Sequence, residues 1–255
     1  MLAQILATAD ERAIEADASL SRFQREAEMG DPVRDFRAAL SAPGLSVVAE
    51  IKRRSPSAGE INADIDPVRQ AIAYARGGAC AISVLTEPHF FGGSLDDLRN
   101  VRAAVPVPVL RKDFTRRPSQ IWEARAAGAD AILLIVAALS DDQLTELLSV
   151  AETVGVTAIV EAHTRDEVAR SVAVGATVIG VNNRDLHTFT TDLSVAELSA
   201  PLLPRTSVRI AESGVSDVEG ASRMARAGYD AILVGEALVR SANPAELVAS
   251  LRAIK

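Results

Sequence analysis

Lys52 and Lys112 stand out because the chain otherwise supplies its cations with arginine. Of 27 basic side chains only Lys52, Lys112 and Lys255 are lysine. A guanidinium keeps its proton near neutral pH, whereas an ammonium is compact and its pKa can be lowered until it loses one. Lysine at 52 and 112 therefore points to proton transfer or to the gripping of an anionic substrate; Lys255, at the terminus, is incidental. Both lysines close apolar runs, VVAEIK at Lys52 and PVLRK at Lys112. Glu161, Asn182 and Glu212 close three other runs in the same way. Side chains alternate along a strand, so Glu50 shares the face of Lys52 while Ala49 and Ile51 take the other. Carboxylates beside ammonium groups are the equipment of general acid–base catalysis. A self-compensating ring of ion pairs is the structural alternative, but burying so many charges is costly, and function is the commoner reason for keeping them.

A second group suits a phosphate. One apolar run leads into Ser213-Gly214 and another ends at Gly235. Glycine lets backbone N–H groups approach an anion closely. The segment 236–240, Glu-Ala-Leu-Val-Arg, predicts a short helix with its N-terminus at the same place. The Glu236 carboxylate is expected to turn away, and Ser55 and Arg184 could add contacts to the anion. Phe90, Phe91 and Phe114 follow strand ends and read equally as an aromatic pocket or as loop anchors. The scattered His89, His163 and His187 have no metal-ligand spacing, and no metal site is expected. No Gly-x-Ser-x-Gly nucleophile turn is present. Cys80 reads as a small core residue at a strand start, and Trp122 as helix packing.

These residues need a scaffold that brings strand ends together. Gly-x-x-(Ala/Val)-Ile recurs at Gly78, Gly128, Gly155, Gly175 and Gly228. It reads as a helix stopped by glycine, a short turn and a buried strand. The strands are continuous apolar runs, as in a parallel sheet covered on both faces. They end near 52, 85, 112, 136, 161, 182, 212 and 235. Between them lie helix starts: Asp66-Pro67, Asn243-Pro244, and capping-box spacings at Ser140, Thr164, Ser194 and Ser216. Eight such units predict an α/β fold, a (β/α)₈ TIM barrel with its active site at the C-terminal ends of the strands. An open doubly wound sheet would need a Gly-x-Gly-x-x-Gly turn after the first strand, which is absent. Residues 1–46 predict an N-terminal helical extension, with helices at about 2–17 and from Asp31-Pro32 to about Leu40. The whole of 1–255 reads as one domain, with 47–255 as the barrel.

Composition narrows the classes. With 48% hydrophobic and 24% charged residues the chain suits a globular fold rather than a disordered one. A net charge of −7 with no basic run argues against nucleic acid as a partner. No apolar stretch predicts a membrane span, and no signal peptide is legible. The single Cys80 cannot form an intrachain disulfide, and a cytoplasmic location is expected.

The motifs together resemble one enzyme family. Glu-Ile-Lys-Arg-Arg-Ser-Pro-Ser (50–57), Ser-Val-Leu-Thr-Glu (83–87), Phe-Gly-Gly-Ser (91–94) and Leu-Arg-Lys-Asp-Phe (110–114) are similar to those of indole-3-glycerol-phosphate synthases. So are Leu-Leu-Ile-Val (133–136), Val-Glu-Ala-His (160–163), Gly-Val-Asn-Asn-Arg-Asp-Leu (180–186), Ala-Glu-Ser-Gly (211–214) and Val-Gly-Glu-Ala-Leu (234–238). The resemblance implies conversion of 1-(2-carboxyphenylamino)-1-deoxyribulose 5-phosphate to indole-3-glycerol phosphate, CO₂ and water, with no cofactor. It implies Lys112 as general acid, Lys52 on the substrate carboxylate, and Glu161 as acid/base in the dehydration. Glu50, Asn182 and Glu212 would orient the lysines and the substrate. Ser55, Arg184, Ser213, Gly214, Gly235 and Glu236 would hold the phosphate. Phe91, Phe114, Leu85, Pro56 and Leu133 would line the anthranilate pocket. Glu236 stands where some members carry serine, which leaves its backbone N–H for the phosphate. The competing enzyme is another phosphosugar barrel, such as phosphoribosylanthranilate isomerase. That reaction calls for a Cys–Asp pair at the strand ends, and Cys80 sits at a strand start. A catalytically dead binding barrel would have lost a rim residue, and none is missing. A monomer is expected, with an oligomer left open.

Overall fold

The structure is a computed structural model that describes residues 1–254 apart from His187; the sequence readings of His187 and Lys255 fall outside the described residues. Among the described residues eight parallel strands close into a barrel: β1 (Ser46–Ile51), β2 (Ala81–Leu85), β3 (Val109–Lys112), β4 (Ala131–Ile135), β5 (Thr157–Ala162), β6 (Val178–Asn182), β7 (Val208–Glu212) and β8 (Ala231–Val234). Each strand pairs with the next in sequence, and β8 closes on β1 with Ser46 opposite Ala231. The strand ends fall within a residue of those predicted from the apolar runs. Such runs can be buried on both faces because the barrel interior fills one side and helices cover the other. Val48, Leu110, Leu133, Ile159, Val178, Ile210 and Leu233 belong to the interior cluster. Alternate residues such as Val47, Ile82, Ile132 and Ile232 join the layer beneath the helices.

The covering helices are α4 (Pro67–Arg76), α5 (Leu95–Ala104), α6 (Pro118–Ala126), α7 (Asp141–Val154), α8 (Arg165–Ala173), α9 (Ser194–Ser199), α10 (Val218–Ala227), α11 (Glu236–Arg240) and α12 (Pro244–Arg252). Asp66 caps α4 through the N–H groups of Val68 and Arg69, and the capping boxes at Ser140 and Thr164 form as spaced. Two helix starts differ from the sequence reading. In α9 Ser194 is already helical, and Asp192 receives its N–H at 2.9 Å. In α10 the cap is Asp217, which accepts from the N–H of Gly220 at 2.8 Å. In both a neighbouring aspartate, rather than the serine hydroxyl, accepts an N–H at the helix start.

The extension also differs. Its helices are α1 (Leu2–Ala18), α2 (Leu20–Met29) and α3 (Phe36–Leu40), before the barrel's own α4. The sequence reading missed α2, whose buried face is only Phe23 and Ala27. Asp31-Pro32 does not start a helix. The Arg34 N–H donates to Asp130 Oδ1 at 2.7 Å and the Arg34 guanidinium to the carbonyls of Val105 and Val107, which holds this stretch extended. Asp35 then caps α3, and Phe36 and Leu40 join the interior cluster fully buried. Cys80 lies just before β2, half-buried, and Trp122 is half-buried within α6.

Candidate active site

A cavity of about 380 Å³ opens at the C-terminal ends of the strands. Every residue that the family resemblance assigns to the site lines it, from Glu50, Lys52, Ser55 and Pro56 on the first strand and loop to Gly235 and Glu236 on the last. The register brings the polar groups together. Asn182 lies opposite Glu212 on the neighbouring strand, and Glu161 opposite Gly180. Lys112 reaches across the mouth from β3. Its Nζ donates to Glu161 Oε2 at 2.9 Å and to Glu212 Oε2. Asn182 Nδ2 donates to the other oxygen of Glu161 at 3.1 Å. Lys52 Nζ pairs with Glu50 Oε1 at 2.8 Å, and Ser83 Oγ lies 3.5 Å from Glu50 Oε2. The residue types are therefore arranged as two lysine–carboxylate sets, one on each side of the mouth.

Two glycines make room for the carboxylates. A Cβ at Gly180 would stand 2.1 Å from Glu212 Oε1, and one at Gly235 would stand 2.6 Å from Glu50 Oε1. Any side chain at either position would displace an acid. Gly180 lies inside β6, where glycine ordinarily weakens a strand, so its place there follows from this close approach.

Burial and charge set the protonation states. Burial works to discharge Lys112, but Glu161, Glu212 and Glu50 outweigh it and hold its pKa above the usual lysine value. This reverses the expectation of a lowered lysine pKa: three acids converge on this ammonium. Glu212 is pushed up to about 8, first by burial, with Lys112 opposing and Glu161 adding to the rise. Glu161 is held below the usual value by Lys112 despite its burial, with Asn182 assisting. Burial and charge therefore favour a charged Lys112, the ionised form of Glu161 and the protonated form of Glu212.

Around this centre the cavity has two ends. At one, Ser213 and Gly214 both have left-handed backbones, with φ of 64° and 84°. For serine this conformation costs on the order of 1–3 kcal/mol and marks a turn enforced by its surroundings. The Glu236 carboxylate accepts from Arg240 Nε at 3.0 Å, one turn along its own helix. Arg184 donates to the Ser57 hydroxyl and to Thr191 Oγ1 at 3.1 Å, so it spans from the β6 loop to the β1 loop. Ser55 is buried, and its hydroxyl accepts from the N–H of Ala58 at 3.2 Å. At the other end Phe91 and Phe114 face each other with ring centroids 6.2 Å apart, beside Leu85, Leu133 and Pro56. Phe90 packs at the edge of the interior cluster and is absent from the cavity lining.

A cation–carboxylate cluster between a glycine-lined turn and an aromatic wall suits a substrate with an anion at one end and an aromatic ring at the other. The family model for indole-3-glycerol phosphate synthase matches residues 2–251. The chain belongs to the indole-3-glycerol phosphate synthase family. It is 52% identical over 243 residues to the indole-3-glycerol phosphate synthase of Mycolicibacterium gilvum, covering 95% of this chain and 89% of that one. The Mycobacterium tuberculosis enzyme of the same name is 51% identical over the same length and coverage. Among solved structures, a 3-hexulose-6-phosphate synthase superposes with a TM-score of 0.64 at 19% identity, covering 82% of this chain and 99% of that one. Thiamine phosphate pyrophosphorylase from Pyrococcus furiosus gives 0.62 at 15% identity, covering 86% and 96%. At these identities the likeness shows the barrel fold alone. The family activity is ring closure with decarboxylation and dehydration, which makes indole-3-glycerol phosphate in tryptophan biosynthesis. The substrate is a small molecule, and among the described residues no helix is long and apolar enough to cross a membrane.

In this indole-3-glycerol phosphate synthase fold some lining residues escaped the sequence reading. Ile135 shares the face of Leu133 two residues on, so strand alternation could have found it. Leu186, Phe189, Ser57 and Arg240 come from loops and a short helix with no periodic signal. Glu87 is fully buried and outside the lining. Its carboxylate accepts the N–H groups of His89, Phe90 and Phe91 at 2.6–3.0 Å, which shapes the loop that presents Phe91. Arg53 adds a tie to the same loop through the Gly92 carbonyl at 3.1 Å.

Proposed function

We propose that Lys112 donates the proton in ring closure and that Glu161 serves the dehydration. The observation that carries this division is the shared position of the two groups, 2.9 Å apart at the centre of the mouth, with Glu161 anchored by Asn182. In ring closure the aromatic carbon bearing the carboxylate attacks the C2 ketone of the sugar chain. The carbonyl oxygen becomes a hydroxyl by taking the Lys112 proton. The carbon–carboxylate bond then breaks, its electron pair restores the aromatic ring, and CO₂ leaves. In the last step the new hydroxyl departs as water with a second proton, and a C1 proton is lost to a base. Lys112 holds the Glu161 carboxyl below its usual range, which favours the form that accepts the C1 proton, while burial raises the Glu212 carboxyl beside it.

Lys52, paired with Glu50, faces the substrate carboxylate in this reading. Ser55, Arg184, Ser213, Gly214, Gly235 and the backbone of Glu236 take the phosphate. Phe91, Phe114, Leu85, Pro56 and Leu133 enclose the anthranilate ring. No cofactor or metal enters any step. The extension and barrel act as one domain, 1–255, and the enzyme works in the cytoplasm, in keeping with its single cysteine and its metabolic role. Rapid-mixing of Glu161→Gln with substrate tests the division of labour. CO₂ release should remain while indole fluorescence lags far behind it. Equal loss of both signals would refute a role confined to dehydration.

A further inference from the structure

The end of β3 is held from its outer side by a group of charges that the proposed chemistry does not use. Lys112, Asp113 and Phe114 all line the cavity, but the Asp113 carboxylate is buried in a network with Arg111, which lies outside that lining. Asp113 is at its centre. Its Oδ2 accepts from Thr86 Oγ1 at 2.6 Å and from Arg111 Nη2 at 3.3 Å. Its Oδ1 accepts the N–H of Phe114 at 2.8 Å. Arg111 is in turn held by Glu123 at 2.8 Å and by the Gln120 carbonyl at 3.0 Å. The remaining partner comes from the extension. Arg12, in the middle of α1, meets Asp113 with both terminal nitrogens, at 2.9 and 2.8 Å. A two-pronged guanidinium–carboxylate pair fixes orientation as well as distance.

The apolar residues Leu2, Ile5 and Ala9 of α1 share the cluster of Phe114 and Leu133, while its other ion pairs with the barrel stop short of the site. Asp10 pairs with Arg116 at 2.9 Å, and Asp17 with Arg117 at 2.6 Å and Ser119 at 2.5 Å. These reach the loop before α6 and its first turn. Arg12 alone among the pairs named here reaches the residue between Lys112 and Phe114.

We propose that Arg12 is a positioning residue for the reaction: by clamping Asp113 it sets the placement of the Lys112 ammonium and the Phe114 wall, which makes the N-terminal helix part of the catalytic apparatus. The inference rests on the role given to Lys112 above. A displacement of about 1 Å at a reacting group can cost about 10²-fold in rate. Arg12 also borders a second cavity of about 420 Å³, together with Thr86, Arg111 and Glu123, so a small cation from solution can reach the place its side chain occupies.

The test is steady-state kinetics of Arg12→Ala well below its melting temperature, with Asp17→Ala as the comparison. Arg12→Ala should lower kcat and raise KM together, with kcat/KM down by about tenfold or more. Added millimolar guanidinium should recover part of that loss by refilling the vacated place. Asp17→Ala should melt earlier yet keep its kcat/KM, because its contacts end at α6. A folded Arg12→Ala with kcat/KM within about twofold of wild type would overturn the proposal. So would an equal kinetic loss in Asp17→Ala, which would make the effect one of general anchoring. If Arg12→Ala does not fold, Arg12→Gln carries the same test and the same twofold criterion. Lys112→Met separates the two readings: if it stays active the role of Lys112 fails, whereas an inactive Lys112→Met beside a normal Arg12 variant sinks the Arg12 inference alone.

Discussion

Lys112→Arg separates proton donation from electrostatic attraction. The Lys112 side chain is 14% exposed and touches two carboxylates. Arginine at this place keeps the positive charge, so Glu161 stays paired and attraction to an anionic substrate survives. It does not release a proton near neutral pH. Loss of general acid catalysis typically costs about 10²–10⁴-fold in rate, or about 3–5 kcal/mol of barrier. The bulkier guanidinium adds packing strain on the order of 1–3 kcal/mol, which thermal melting reads separately. Lys112→Ala differs in stability: it leaves an ionised Glu161 buried without its cation, a change that typically costs about 3–5 kcal/mol. The two variants should therefore differ in melting temperature and agree in turnover. The assay is indole fluorescence at saturating substrate, with the loss in kcat rather than KM because the proton moves in the transition state. An arginine variant that keeps more than about a tenth of wild-type turnover refutes the reasoning, since that lies below the range of acid catalysis. Lys112 would then be a charge anchor, and Lys52 would become the better candidate for the donor.

Two further outcomes follow from the packing around Glu212. Gly180→Ala would place its methyl 2.1 Å from Glu212 Oε1, so the acid must move and Lys112 with it. Turnover should fall by about 10²-fold for a displacement near 1 Å, and a variant of normal activity would show that the acid is free to shift. Glu212 also couples stability to pH. Its pKa is raised in the folded state to about 8, so the native state holds a proton that the unfolded chain releases near its ordinary carboxylate value. The associated stability is full below that ordinary value and is lost as pH rises through about 8. Melting temperatures between these limits should decline more steeply for wild type than for Glu212→Gln, and identical slopes would contradict a protonated Glu212.

What the sequence revealed and what it hid differ by range of interaction. The strands were legible because burial on both faces needs an unbroken apolar run, which is a local property. The site was legible because the barrel turns the last residues of every run toward one mouth, so a lysine or glutamate at a run's end is already placed. Helix starts failed where two local groups competed: Asp217 stands one residue from Ser216, and only the folded backbone shows which oxygen meets the N–H of Gly220. The pKa direction of Lys112 failed for a related reason. Lysine among so many arginines suggests proton transfer, but the sign of its shift depends on Glu161 and Glu212, which fold beside it from far along the chain. The Arg12–Asp113 pair spans 101 residues and obeys no period. Arg12 sits on an amphipathic helix, where arginine reads as solvated surface, and Asp113 sits beside a lysine that draws attention to itself. Periodicity shows which face a residue occupies. It does not show which distant residue meets that face, so the outer face of the β3 end became readable only once α1 was seen to lie against it.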